Sequence, residues 1–153
     1  MLLSGIKNRQ QLLESDCLVA CAAMVLEYLG IRQSNNWLTK ILQTTDIGTP
    51  FSNLKNLEKS LGVVVKLNDS DKLATFEPVI ESGLPIIVAL DSYNGDYWPH
   101  DSNHAVVVIG FDDNNAYINN PTVAETEVVE IGTFMLSWSF RNFQYAIISL
   151  IEL

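Results

Sequence analysis

Gln11-Leu-Leu-Glu-Ser-Asp16-Cys17-Leu-Val-Ala-Cys21-Ala-Ala-Met-Val-Leu-Glu-Tyr28-Leu-Gly30 is the stretch from which the rest of the chain is read. From Asp16 to Leu29 the apolar residues Leu18, Val19, Cys21, Ala22, Met24, Val25, Leu26 and Leu29 occupy nearly every side of a helical period. That pattern predicts a helix buried in the middle of a domain rather than one lying on its surface. Asp16 or Ser15 can cap its start, and Gly30 fits a left-handed stop at its end. Cys17 therefore stands at a helix N-terminus. The N–H groups of a first turn are unpaired, and the helix dipole places about half a positive charge there. Both effects favour thiolate over thiol, and thiolate is the reactive form.

Downstream, Asn36 to Gln43 predicts a second helix with Trp37, Leu38, Ile41 and Leu42 on its inner face. Thr49-Pro50 reads as cap and first position of a third, which runs to Leu61 and stops at Gly62. Val63 to Leu67 is a strand, and Asp71 to Ser82 is a short helical stretch that Pro78 should break or restart. The pattern then changes. Pro85 to Leu90, Ala105 to Phe111, Ala116 to Ile118, Glu127 to Ile131 and Tyr145 to Leu150 are strand-like runs rich in Val and Ile. Asp112-Asp113-Asn114-Asn115 is a tight turn that joins two of them as a hairpin. Helices first and an antiparallel sheet second make the class α+β. No repeat, linker or low-complexity segment interrupts residues 1–153, which are expected to form one domain.

Composition narrows the function. The chain of 153 residues is 48% hydrophobic and 18% charged, ordinary for a soluble globular protein. Its net charge of −9 and pI near 4.5 argue against nucleic acid or anionic lipid as partner. The longest apolar stretch, Leu18 to Leu29, contains Glu27 and is too short to span a bilayer, so no stable membrane insertion is expected. The N-terminus lacks the pattern of a signal peptide, which makes a cytoplasmic location the simplest expectation. Cys17 and Cys21, one helical turn apart, are poorly placed for a disulfide. Thiol chemistry is the better reading.

Two further positions suit that chemistry. His104, in Asn103-His104-Ala105-Val106-Val107-Val108, begins a strand, and Asn119-Asn120-Pro121 ends the next one. A thiol attacks a carbonyl well only when deprotonated, and an adjacent imidazole can hold its proton and later give it to the leaving amine. The second imidazole nitrogen needs an orienting partner, for which Asn120 is the candidate. The oxyanion needs donors, for which the Cys17 N–H and a side-chain amide at Gln11 or Gln10 are available. The polar, aromatic segment from Asp91 to Asn103 leads directly into His104. Long loops that deliver such residues tend to carry substrate contacts, so Tyr97, Trp98 and Asn103 are candidates, with Asp16 on the other side. Cysteine, histidine and asparagine in this order follow the papain-type arrangement.

Together these residues resemble the peptidase C39 family, the papain-like domain of bacteriocin-exporting ABC transporters. The resemblance rests on Gln11 with Cys17, Asp16 before the cysteine and small Cys21 one turn later. It continues through Tyr28-Leu29-Gly30, Gly48-Thr49, Leu61-Gly62, a Leu-Pro-Ile-Ile strand, His104, Asn120-Pro121 and the Phe134 to Trp138 segment. It covers roughly residues 9 to 150. It implies a papain-like α+β fold, a thiol protease that cleaves a leader peptide after a Gly-Gly pair, and Gln11 in the oxyanion hole. Two positions depart from the family: Leu18 stands where Gly is usual after the cysteine, and Asn120 where Asp is usual. The chain ends where the family's peptidase domain ends, so an ABC transporter would be a separate partner alongside a peptide or precursor-protein substrate.

Other readings compete. Cys17, Cys21, His100 and His104 offer zinc-ligand types, but the peptidase reading keeps Cys21 in the core and needs neither metal nor cofactor. A papain-like acyltransferase or amidase would pass through the same acyl-thioester. A non-catalytic peptide-binding relative would keep the fold alone, a case weakened by the presence of both Cys17 and His104.

Overall fold

The computed structural model describes residues 2–91, 103–123 and 125–150, with the backbone alone for Glu14 and Asn103. The helix predicted from the opening stretch is α1 (Cys17–Tyr28). It ends as expected: Gly30 takes a φ of +89°, its N–H reaches the Glu27 carbonyl at 3.0 Å, and the Ile31 N–H reaches that of Leu26 at 2.8 Å. Its start differs. A single 3-10 turn, Glu14–Asp16, leads in, and Asp16 makes no cap bond to α1. Instead the Leu13 N–H donates to Asp16 Oδ2 at 3.2 Å, while the Asp16 N–H donates to the Leu13 carbonyl at 3.0 Å. A cap contributes about 1 kcal/mol, whereas each fully buried Leu, Met or Val contributes about 1.5–3 kcal/mol. With Leu18, Met24, Val25 and Leu26 at 2% exposure or less, burial forms α1 without the cap.

Helix α2 (Asn35–Ile41) starts on a true cap, the Ser34 hydroxyl accepting from the Trp37 N–H at 3.1 Å. The third predicted helix is divided into a 3-10 stretch, Phe51–Lys55, and α3 (Asn56–Leu61), and Pro50 rather than Thr49 precedes it. After β1 (Val64–Asp69), another 3-10 stretch runs into α4 (Glu77–Glu81), whose first turn holds Pro78. Proline restarts the helix there, since a first-turn N–H has no partner to lose.

The remaining strands are β2 (Ile86–Asp91), β3 (Asn103–Phe111), β4 (Asn115–Asn119), β5 (Glu127–Glu130) and β6 (Gln144–Ser149). Between β5 and β6 lies α5 (Ile131–Ser139), a helix that was not among those predicted from sequence. All pairings are antiparallel, in the order β1-β6-β2-β3-β4-β5. The β3–β4 hairpin closes where expected. Asp112 Oδ1 accepts the N–H groups of Asn114 and Asn115, and the Tyr117 hydroxyl donates to Oδ2. The Tyr117 bond first, and those N–H groups next, hold the exposed Asp112 carboxyl below its usual range.

Alternation along the central strands builds two cores. Ile87, Ala105, Val107, Ile109, Ala146 and Ile148 pack under α1. Ile86, Val88, Leu90, Val106, Val108 and Ile147 pack on the other face with Phe76, Phe134 and Trp138. The sheet is therefore a middle layer between helices. That arrangement brings the start of α1 against β3.

Candidate active site

Cys17 is half-buried at the first position of α1. The backbone N–H groups of Ala105, the residue after His104 in β3, and then of Leu18 and of Cys17 itself favour the charged form of its thiol. Where no imidazolium faces it, burial pushes the Cys17 pKa above the ordinary 9.0. The N–H groups, Ala105 foremost, and the positive charge of Arg141 oppose that rise without cancelling it. The helix start alone, on which the sequence argument relied, does not make this sulfur a thiolate. Desolvation outweighs it.

His104 lies in β3 opposite Leu90 of β2. Its Nε2 is 2.6 Å from Asn120 Oδ1. An amide oxygen only accepts, so Nε2 carries the hydrogen and Nδ1 is the nitrogen left to gain or lose a proton. Asn120 immediately follows β4 and is 1% exposed. Its oxygen also accepts from the Thr122 N–H at 3.0 Å and the Thr122 hydroxyl at 2.8 Å. The Val123 N–H donates to the Asn120 carbonyl at 3.1 Å, closing a turn over Pro121. The Asn-Pro signal thus marks a turn, and the side chain that locks that turn is the one that meets the histidine. From its other end, Asn120 Nδ2 donates to Glu127 Oε1 at 2.8 Å.

Gln11 is drawn to the same place by its backbone, whose N–H donates to the Pro121 carbonyl at 2.9 Å. Further tethers run from Asn8 Nδ2 to the Val123 carbonyl at 2.8 Å and from Asn119 Nδ2 to the Ile6 carbonyl at 3.3 Å. Residues 6–11 therefore strap across the Asn120 turn before the chain reaches Cys17. The Gln11 side-chain nitrogen donates to the Leu13 carbonyl at 2.9 Å.

Asp16 is buried and turned back to Leu13, so it shapes the turn that presents Cys17. Tyr97, Trp98 and His100 lie outside the described residues, as does the Asn103 side chain. The segment they occupy leaves β2 at Asp91 and re-enters β3 at Asn103, two positions that pair with each other. Cys21 is fully buried, as its core assignment required. Among the described residues, no three His, Cys, Asp or Glu side chains cluster as a metal site would need. Sequence reasoning missed Thr122, Glu127 and Arg141. Each gains its place from a turn or a strand register that spacing along the chain does not encode.

An antiparallel sheet with a cysteine-bearing helix packed on it defines the papain-like class of cysteine peptidase folds. The sequence profile of the peptidase C39 family matches residues 6–143, and the chain belongs to that family. Among solved structures, a candidate C39-like peptidase from Bacillus anthracis aligns at a TM-score of 0.82 and 17% identity, over 99% of this chain and 97% of that one. The peptidase domain of Streptococcus ComA, a bifunctional ABC transporter of a quorum-sensing pathway, aligns at 0.77 and 21% identity, over 95% and 98%. A double-glycine-motif protease from an AMS/PCAT transporter, solved with its leader peptide, aligns at 0.70 and 18% identity, over 97% and 96%. At these identities the likeness establishes the fold. No curated protein matches the chain.

Proposed function

We propose that this protein is a cysteine peptidase in which Cys17 is the nucleophile and His104 the general base and acid. The observation that carries the reading is the 2.6 Å bond to buried Asn120 from Nε2 of His104, in the strand on which the Cys17-bearing helix packs. His104 Nδ1 takes the thiol proton, and the sulfur attacks the peptide carbonyl carbon. The Cys17 N–H and the Gln11 amide receive the oxyanion. The imidazolium then gives its proton to the departing amine, and water, deprotonated by His104, releases the acyl group from sulfur. Asn120 holds the ring, supplying orientation without charge.

For substrate we propose a double-glycine-type leader peptide, by analogy with the protease solved with its leader. An ABC transporter fits as partner, by analogy with the ComA domain. No described helix is long and apolar enough to cross a membrane. The test is cleavage of a synthetic Gly-Gly leader peptide, followed by mass. Cys17→Ala is expected to abolish turnover while the protein stays folded. Asn120→Ala should lower it about 10- to 100-fold, within what acid–base assistance supplies. Cleavage by Cys17→Ala at the wild-type rate would contradict the reading.

A further inference from the structure

The third member of the site is a neutral amide, yet a carboxylate stands directly behind it. Asn120 Nδ2 donates to Glu127 Oε1 at 2.8 Å, and Glu127 begins β5, where it pairs with Ile118, two residues before Asn120. Amide oxygen and nitrogen are nearly equal in shape, so an asparagine beside a histidine presents an acceptor or a donor according to what its far end meets. Here Thr122 supplies two donors to the oxygen side and Glu127 an acceptor to the nitrogen side. A flipped amide would set its NH2 against the Thr122 N–H and its oxygen against the carboxylate. At 1% exposure no water can relieve either clash.

We propose that Glu127 is a positioning residue: it fixes the Asn120 amide so that His104 keeps its hydrogen on Nε2, and it supplies from one residue further out the negative charge that Asn120 lacks. The row His104, Asn120, Glu127 runs imidazole, amide, carboxylate, with each N–H pointing towards the carboxylate end. Such a row polarises in the sense that stabilises an imidazolium. The inference rests on His104 as the base, but it concerns the state of the ring and can be read without turnover.

The experiment is 15N NMR of the imidazole in the folded chain. His100→Ala removes the one other histidine from the spectrum. The wild-type ring should be the Nε2–H tautomer. Glu127→Gln, which retains an acceptor but removes the charge, should keep that tautomer and lower the His104 pKa by about 0.5–1 unit. Glu127→Leu should mix the tautomers and lower kcat about tenfold with KM unchanged, the sign of lost transition-state assistance. Asn120→Asp alone should titrate aberrantly, because two carboxylates then meet. Asn120→Asp combined with Glu127→Gln should restore both the ring pKa and kcat, which a merely structural role for Glu127 does not predict. Wild-type tautomer and titration in both Glu127 variants would overturn the proposal. A failure of the peptidase reading itself shows differently, as a Cys17 reactivity profile that His104→Ala leaves unchanged.

Discussion

At Cys17, magnitudes decide which effect governs the thiol. A pKa unit is worth about 1.4 kcal/mol, and a majority of thiolate at pH 7 needs more than two units below the ordinary 9.0, or about 3 kcal/mol. Burial acts in the opposite direction and must be offset as well. A helix N-terminus typically contributes about 0.3–1 kcal/mol, which is insufficient. A cation about 4 Å away contributes about 4 kcal/mol at an effective dielectric constant of 20, several times the helix effect. The reactive state therefore depends on an imidazolium partner. Cys21, one turn along, shows burial without such help: desolvation first, and the nearby Cys17 second, lift its pKa well above 9.0. Its folded-state pKa is raised, so the stability it contributes is full below 9.0 and is lost as pH climbs through the raised value. Cys21→Ala should therefore lose stability less steeply above pH 9 in alkaline denaturant titrations, with near-wild-type turnover at neutral pH. An unchanged alkaline slope would contradict this.

At the scale of elements, α1 depends on its interior and its stop more than on its start. Gly30 has no neighbour within 4 Å of where a Cβ would lie, so the cost of a side chain there is backbone strain alone. Gly30→Ala should destabilise by about 1 kcal/mol in urea unfolding, with peptide cleavage retained. A neutral result would mean that the φ of +89° is not needed. This helix, its glycine stop and all six strands could be read to within two residues of their ends, because buried helices and Val/Ile strands leave strong periodic signals. The sequence Ile131-Gly-Thr-Phe-Met-Leu-Ser-Trp-Ser did not disclose α5, since Gly132, Thr133, Ser137 and Ser139 are weak helix formers. Its tertiary setting overrides propensity. Phe134 and Trp138, one turn apart, are fully buried against the sheet, and that pair was the one available signal.

For the whole molecule, the sheet is the frame that brings distant chain segments to the candidate site. Cys17 comes from a helix on one face, His104 and Asn120 from adjacent strand ends, and Gln11 from the strap across the Asn120 turn. Cys17, His104, Asn120 and Gln11 could be singled out as candidates from sequence because each ends or borders a regular element. Glu127 was not, because a strand register sets its meeting with Asn120. The opposite core holds this frame. Trp138 is fully buried among Phe76, Phe134 and Phe143, and its indole N–H donates to the Gln144 carbonyl at 3.0 Å. Trp138→Ala should cost about 3–5 kcal/mol of global stability by denaturant unfolding. A loss under 1 kcal/mol would show that α5 is dispensable to the frame.

The central claim is that Cys17 and His104 form a thiolate–imidazolium pair. The most direct measurement is the pH dependence of iodoacetamide alkylation at Cys17, followed by peptide mass in wild type and in His104→Ala. The account predicts a wild-type midpoint well below pH 7. In His104→Ala the midpoint should move above 9.0, because burial then acts on the sulfur without a partner. A wild-type Cys17 that titrates at or above 9.0, with the same profile in His104→Ala, would contradict the claim.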